Sequence, residues 1–413
     1  MVTPEILDGL EVYLVGGAVR DRLMGLPVKD RDWVVVGATP DEMRSRGFKP
    51  VGQHFPVFLH PQTGEEYALA RTEHKTGPGY RGFEFNTDSG VTLEQDLARR
   101  DLTLNAIAQA RDGCLIDPFR GKEDIGNKVL RHVSNAFVED PVRLLRVARF
   151  HARFGFRIAP ETYAIMKRMV ANGEVDALVP ERIWSEVRDT LGESQPSTFF
   201  AALRECGALE RILPEIDALF GIPQRADYHP EIDAGVHTML VIDQAAKLGG
   251  DAQVRFAALV HDLGKAVTPE AQLPSHYGHE WSGLGCIKQL CRRLRVPGEY
   301  KDLALLACEV HLKLHRVGEL KAATILDLLE RVDAFRRPRR LDQLLLVGEA
   351  DARGRMGRES APYPQAAILR ACLKAASEID AGGIARRAKS GPAIARAIRE
   401  RRIKAIESSR RVY

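Results

Sequence analysis

The sequence predicts an α+β protein, with a mixed-sheet head over about residues 1–139 and helices for the remainder of the chain. Three observations carry this. Strand-like runs are confined to residues 11–135. From Asp140 onward the pattern is helical almost throughout. A cluster of histidines then follows the segment GIPQRADYHPEID at 221–233, which marks a boundary. A chain of 413 residues exceeds one ordinary core, so several domains are expected.

The predicted strands are Val12–Val15, Trp33–Val36, Pro56–Leu59, Tyr67–Ala70 and Cys114–Ile116. Each is a short apolar run bounded by Gly, Pro or Asp, and together they give a five-stranded mixed sheet. Helices are expected near Ala18–Met24, Pro40–Arg46 and Leu93–Ala110. Thr72–Asp88 is Gly-rich and polar and reads as a long mobile loop, of a length that in a compact domain points to function. Beyond Asp140, segments such as PETYAIMKRMVANG open at Pro or an acid and mostly close at Gly or Pro.

Composition narrows the class. No run of eighteen apolar residues exists, so no membrane partner is expected. The N-terminus lacks a basic segment followed by an apolar one, so no secretory signal is expected. The six cysteines are scattered without a C-x-x-C pair, the pattern of reduced thiols in a cytoplasmic protein. Net charge is +4, but ten Lys or Arg against two Glu lie between Arg386 and Arg411. Such a basic tail suits a polyanion such as RNA, or else a solvated helix. The sequence does not choose between a monomer and a homodimer.

Within LVGGAVRDRLMG, a strand ends at two glycines and a helix begins. Lacking Cβ atoms, Gly16 and Gly17 let the backbone approach a phosphate, and the helix N-terminus supplies N–H groups and a positive dipole end. Arg20 sits one turn in and reaches the same phosphates. Downstream, Asp30-Arg31-Asp32 precedes WVVVG. On a strand both carboxylates project to one side, and hard cations such as Mg²⁺ relieve their repulsion. Two metals so held serve in-line phosphoryl displacement. A Gly-Gly turn followed by a same-face Asp pair resembles the polymerase β-like nucleotidyltransferase superfamily. That resemblance implies a third carboxylate on a neighbouring strand, for which Glu66 is the candidate and Glu65 the alternative.

Two further stretches bear on nucleotide binding. Arg99-Arg100-Asp101 of LARRDLTLNAIA is expected just before or within a helix, where an arginine pairs with triphosphate oxygens and Asp101 caps the helix or anchors an arginine. In EDPVRLLRVARF, Asp140, Arg143, Arg146 and Arg149 recur every third residue along one ridge of a helix. A carboxylate beside a guanidinium accepts from an amino group and donates to a ring acceptor, the edge pattern of cytosine and adenine. Asp140 with Arg143 therefore admits C and A and rejects G and U without a template. The alternative is a salt-bridged helix face.

YLVGGAVRD, KDRDWVVVG, LARRDLTLNAIA, IDPFRGKEDI and EDPVRLLRVARF resemble the class II bacterial CCA-adding enzymes over nearly the whole chain. That resemblance implies a polymerase β-like head followed by an all-helical neck, body and tail that face tRNA. It implies addition of C, C and A to tRNA from CTP and ATP, with Mg²⁺ at Asp30 and Asp32. It also implies nucleotide contacts from Gly17, Arg20, Arg100, Arg146 and Arg149, and an amino-acid template at Asp140 and Arg143. The length of Thr72–Asp88 favours full CCA addition over CC addition.

His237, His261-Asp262 and Asp351 lie on successive helical segments, and His-Asp is followed by Leu-Gly-Lys. Neutral imidazoles and carboxylates suit a divalent transition metal that activates water. The set resembles the HD phosphohydrolase superfamily, with His276, His279 and His311 as additional ligands or phosphate contacts. In the CCA-adding enzymes such a domain implies hydrolysis of 2′,3′-cyclic and 2′-phosphates and a metal-stimulated phosphatase activity, with nickel as the expected metal. The expected organisation is a head (1–139), a helical neck and body (140–234), an HD domain (235–336) and a basic helical tail (337–413). The competing readings are a bacterial poly(A) polymerase, an HD phosphohydrolase whose inactive head binds RNA, and a non-enzymatic tRNA-binding protein.

Overall fold

The computed structural model of the chain describes residues 4–51, 57–75, 83–86, 88–387 and 390–410. It divides into two units, Met1–Val179 with Glu205–Arg211, and Pro180–Arg204 with Ile212–Tyr413.

The first unit is built on β1 (Glu11–Val15), β2 (Asp32–Val36), β3 (Lys49–Val51), β4 (Val57–Leu59), β5 (Glu66–Leu69), β8 (Ala108–Ala110) and β9 (Leu115–Ile116). β6 (Thr72–Lys75) and β7 (Phe83–Asn86) form a separate antiparallel pair. The sheet is seven-stranded, not five-stranded, in the order β3-β4-β5-β2-β1-β8-β9. Only β2 and β5 run parallel, so the sheet is mixed. Both faces are covered: Val35 packs with Met43, Phe48 and Tyr67, and Val34 packs on the other side with Leu93, Leu97 and Ala106. This two-sided burial is why β2 reads as an unbroken apolar run.

Two expectations fail here. The helix expected over Leu93–Ala110 ends at Ala98 and is followed by a 3₁₀ turn, Thr103–Asn105, and then β8. Ala106, Ile107 and Ala108 are wholly buried, so the sheet edge beside β1 overrides their helical propensity. Thr72–Asp88 is not all loop, because its flanks pair as β6 and β7, while 76–82 and 87 lie outside the described residues. The helix Val142–Phe154 matches its expected place. Asp140 Oδ1 accepts from Val142 N at 3.1 Å, and Gly155 closes the helix with φ of 66°.

The described part of the second unit is helical. Asp233 and Asp251 cap the helices Ala234–Lys247 and Ala252–Val260. These pack with Gly298–His315 and Pro338–Arg353, and His279–Arg293 packs on Gly298–His315. The basic terminal helix, Gly391–Arg410, packs on Gln365–Ser377 and Ala322–Arg331. Part of its charge is spent internally: Arg399 pairs with Asp327 at 2.7 Å and Glu330 at 3.2 Å, and the Arg402 guanidinium lies 4.1 Å from the Phe335 ring centroid. Among the described residues, no helix is long and apolar enough to cross a membrane.

Candidate functional site

In the first unit the expected carboxylates meet at the start of β2. Asp32 is the first residue of that strand and stands in parallel register with Glu66, the first residue of β5. Registered partners share a face. Both side chains are exposed. Asp30 precedes the strand and does not lie on it, contrary to expectation, yet the two aspartates sense one another. Partial desolvation by its neighbours is the main cause that raises the Asp32 carboxyl above its usual range; Arg100 opposes it, and Asp30 adds to it. Exposed oxygen donors of this kind fit a hard divalent cation. Glu65 is otherwise engaged, accepting from Trp33 Nε1 at 2.9 Å and pairing with Arg31 at 3.5 Å. That occupation separates the two acids left open by the sequence.

The glycine pair makes room for two guanidiniums. Gly16 has φ of 68°, and a Cβ there would lie 2.9 Å from Arg100 Nη1. At Gly17 a Cβ would lie 3.4 Å from Arg20 Nη2. Arg100 lies between the helix Leu93–Ala98 and the 3₁₀ turn Thr103–Asn105, just before the latter, and Asp96 Oδ2 holds it at 3.1 Å. Arg20 is buried, with Nε on Asp21 Oδ1 at 2.8 Å and Nη1 on Asn105 Oδ1 at 2.6 Å. Its guanidinium sits 5.1 Å from the ring centroids of both Phe150 and Phe154. Arg20 is thus held in place by buried partners and is not a freely reaching side chain.

The ridge on Val142–Phe154 is more buried than a solvated helix face. Arg143 is 7% exposed and donates from Nη1 to the Ala136 carbonyl at 2.8 Å. Arg146 Nε donates to Asp101 Oδ2 at 2.7 Å, so Asp101 anchors an arginine. Its Oδ1 accepts from Leu102 N and Asn105 Nδ2, both at 2.8 Å. Burial alone would push the Asp101 carboxyl up, but Arg146, Asn105 and Leu102 outweigh it and hold it well below the usual range. The Arg149 guanidinium lies 4.7 Å from the Phe150 ring centroid. Sequence reasoning missed Asp96, Asn105 and Asp21. Asp96 had a signal, since it precedes Arg99 and Arg100 by three and four residues, the helical pairing distance.

In the second unit the expected histidines and acids converge. Three triads bring donor atoms within 4.8 Å of one another: His237, His261 and Asp351; Asp262, His279 and His311; and His229, Glu231 and His237. His237 Nε2 is 3.1 Å from Asp351 Oδ1, and His261 Nε2 is 3.3 Å from Asp262 Oδ2. His261 Nδ1 lies 2.8 Å from the Ala258 carbonyl, which can only accept, so in the neutral ring Nδ1 carries the proton and Nε2 a lone pair. His261 Nε2 and Asp262 Oδ1 are buried and make no hydrogen bond. Orphaned donors of this type fit a divalent metal ion. Asp351 also meets His315 Nε2 at 2.6 Å, and Asp262 Oδ2 meets Lys265 Nζ at 2.6 Å. His276 faces Thr268 and the Pro223 carbonyl, which leaves it outside the triads.

Gly264 explains how the His-Asp turn fits. A Cβ there would fall 2.0 Å from the His279 carbonyl oxygen and 2.7 Å from Gly283 N. Only glycine lets this turn lie against the first turn of His279–Arg293, which brings His279 to Asp262. A cavity of about 420 Å³ opens on the cluster, lined among others by Lys265, His279, His311, Arg316 and Arg355. Lys265, His315 and Glu231 were not expected from sequence. His315 had a signal: it follows His311 by four residues on one helix.

Comparisons with known proteins agree with this layout. Residues 12–131 match the poly A polymerase head domain, 155–220 the probable RNA and SrmB-binding site of polymerase A, and 235–337 the HD domain. Asp351 lies beyond the last of these matches. The fold is shared with a crystal structure of the Bacillus stearothermophilus CCA-adding enzyme in complex with CTP (TM-score 0.66, 23% identity, 98% of this chain and 91% of that one). It is also shared with the Thermotoga maritima CCA-adding enzyme complexed with tRNA (TM-score 0.66, 20% identity, 98% and 92%). Fold and site together define a nucleotidyltransferase joined to an HD domain. Relatives named multifunctional CCA protein include those of Nitrosococcus oceani (58% identical, 97% of this chain and 98% of that one), Laribacter hongkongensis (59%, 97% and 99%) and Chromobacterium violaceum (62%, 91% and 92%). The chain belongs to the multifunctional CCA protein family.

Proposed function

We propose that the chain adds C, C and A in turn to the 3′ end of tRNA, using CTP and ATP. The observation that carries this is near-full-length identity of 58–62% to multifunctional CCA proteins. The geometry around Asp32 supports it. The tRNA 3′-hydroxyl attacks the α-phosphorus in line, a new phosphodiester bond forms, and pyrophosphate leaves with the electrons of the broken bond. Asp30 and Asp32, with Glu66 beside them, would hold Mg²⁺, which supplies charge stabilisation at the reacting oxygens. Arg100, beside Gly16, would contact the triphosphate. Gly17 and Arg20 would contact the same phosphates, with Arg20 held by Asp21 and Asn105. Asp140 and Arg143 select the base, and Arg146 and Arg149 hold the nucleotide from the same helix.

The second unit is a metal-dependent phosphohydrolase in this reading. His237, His261, Asp262 and Asp351 would hold a divalent transition metal, nickel by the family resemblance, which supplies Lewis-acid activation of water and phosphate. The orphaned His261 Nε2 and Asp262 Oδ1 support it. The substrates are 2′,3′-cyclic and 2′-phosphates. We assign transfer to 1–139, nucleotide selection and RNA binding to 140–234, hydrolysis to 235–336 with Asp351 added from the following helix, and a basic tail to 337–413. We place both activities in the cytoplasm.

The test is the double variant Asp30→Ala/Asp32→Ala, incubated with tRNA lacking CCA plus CTP and ATP. Loss of incorporation with retained hydrolysis of 2′,3′-cyclic AMP is expected. Persistent incorporation would remove Asp30 and Asp32 from the mechanism.

A further inference from the structure

The cavity of the second unit is larger than a phosphate group needs, and its mouth is aromatic. It measures about 420 Å³ and is lined, among others, by Gln224, Arg225, Tyr228, Lys265 and Tyr277. That volume lies in the range of small-molecule sites. Tyr277 is 81% exposed and Tyr228 is 54% exposed. One exposed ring needs no explanation, but two at the mouth of one polar cavity mark a contact surface.

The two rings sit on separate segments, and His276 ties those segments together. Its Nε2 lies 3.0 Å from the Pro223 carbonyl, and its Nδ1 lies 2.8 Å from the Thr268 hydroxyl. In the neutral ring the carbonyl fixes the proton on Nε2, and Nδ1 accepts from Thr268. Tyr277, the next residue, is thereby held beside the segment that runs from Pro223 to Tyr228. That segment turns where Tyr228 N and His229 N donate to the Arg225 carbonyl at 3.1 and 2.9 Å. The Arg225 guanidinium lies 5.0 Å from the Tyr228 ring centroid. Asp227 raises this guanidinium above its usual range, and Tyr228 and Tyr277 add to it, so both tyrosines lie within electrostatic reach of one cation.

Gln224 supplies an independent sign of a ligand. It is 3% exposed, and its Oε1 accepts from Lys265 Nζ at 2.5 Å. An ammonium only donates, so this contact fixes the orientation of the amide and leaves Nε2 to donate elsewhere. Nε2 is buried and makes no hydrogen bond. A buried donor without an acceptor is costly, and at the wall of a cavity a ligand oxygen satisfies it.

We propose that Tyr228 and Tyr277 form a base-stacking subsite at the mouth of this cavity, and that Gln224 Nε2 donates to a phosphate or ribose oxygen of the same ligand. The ligand class is a nucleoside phosphate ester. The proposal rests on the phosphohydrolase reading and deepens it by naming the residues that select the substrate. Stacking tolerates any base, because every base presents a π-face. The subsite therefore favours nucleoside esters over simple phosphate esters without choosing among bases. His276 touches no ligand and is a positioning residue for the two rings.

The test compares two cyclic esters on the full chain loaded with Ni²⁺. One is 2′,3′-cyclic AMP; the other is the 2′,3′-cyclic phosphate of methyl riboside, which keeps the sugar and the ester but has no base. Tyr277→Ala and Tyr228→Ala are each expected to raise KM for 2′,3′-cyclic AMP at least about fivefold, the low end for a lost stacking contact, with kcat unchanged. Neither should alter KM for the base-free ester, and Tyr277→Phe should behave as the parent. His276→Ala should reproduce the tyrosine pattern, and His276→Gln, which can keep both hydrogen bonds, should restore the parent. Gln224→Met and Gln224→Glu should lower kcat/KM for both esters alike; whichever melts with the parent is read, and an unchanged value removes Gln224 from the site. Saturation-transfer NMR of adenosine 2′-monophosphate on the metal-stripped chain gives a readout apart from turnover, and its adenine signals should weaken in Tyr277→Ala. An unchanged KM for 2′,3′-cyclic AMP, or an equal rise for both esters, would overturn the base subsite and leave the phosphohydrolase reading standing. No hydrolysis of either ester by the parent would overturn that reading and the subsite with it.

Discussion

Arg146 donates from Nε to Asp101 Oδ2 at 2.7 Å, tying the helix Val142–Phe154 to the segment that follows Leu93–Ala98. The two partners are forty-five residues apart in sequence. Asp101 is nearly buried, and its other oxygen is taken by Leu102 N and Asn105 Nδ2. Asn105 in turn accepts from Arg20. One carboxylate therefore sets the positions of two arginines of the proposed nucleotide site.

Removing that carboxylate has a structural and a kinetic consequence. Asp101→Ala leaves Arg146 without this partner and Leu102 N without its acceptor. We expect a loss of about 2 kcal/mol, the usual size for hydrogen bonds to a charged group. Urea denaturation measures it. We also expect KM for CTP and ATP to rise, because Arg146 loses its aim.

Asp96 predicts a pH dependence. It is fully buried. Burial raises its carboxyl, but Arg100 and Arg99 outweigh burial and leave it below the usual range. A group depressed in the folded state stabilises the fold above its unfolded value, about 3.9, and that contribution is lost as pH falls through the folded value. Asp96→Asn cannot contribute it. The variant should be less stable than the parent at pH 7, and the gap should narrow below about pH 4. Denaturation midpoints from pH 7 to pH 3 test this; a constant gap would contradict it.

Gly264 offers a test of the second unit. Any Cβ collides with the His279 carbonyl at 2.0 Å, and backbone cannot yield as a side chain can. Gly264→Ala should cost about 3 kcal/mol, the upper end for overpacking, and should weaken metal binding by moving Asp262 from His279. Differential scanning calorimetry with and without Mn²⁺ separates the two effects.

Arg143 tests base selection. Its guanidinium is held by the Ala136 carbonyl, so it is preset before a nucleotide arrives. Arg143→Ala should reduce kcat/KM for CTP by at least about tenfold, equivalent to one hydrogen bond of about 1.4 kcal/mol. Competition with UTP should show weaker discrimination. Unchanged discrimination would remove Arg143 from base selection.

Much of this was legible in the sequence because local rules and tertiary packing agreed. Val12–Val15 and Trp33–Val36 are strands by both, and Asp140-Pro141 starts a helix by both. The convergence of His237, His261 and Asp262 was legible from the His-Asp-Leu-Gly-Lys turn. The failures have a common cause. Ala108–Ala110 looks helical because alanine favours helices, yet it pairs with β1 in the sheet. Lys49–Val51 is too short and polar to signal a strand. The choice of Glu66 over Glu65 depends on Trp33 Nε1 and on strand register, neither of which is local. The inner occupation of Arg20 and Arg143 likewise depends on Asn105 and Ala136 across the fold.

The central claim is stepwise addition of C, C and A by the site at Asp30 and Asp32. The most direct measurement is product length on tRNA lacking CCA, with CTP and ATP supplied separately and together. CTP alone should extend the tRNA by two residues, and the two together by three, with no further growth. Long adenylate tails with ATP would contradict the claim and point to a poly(A) polymerase.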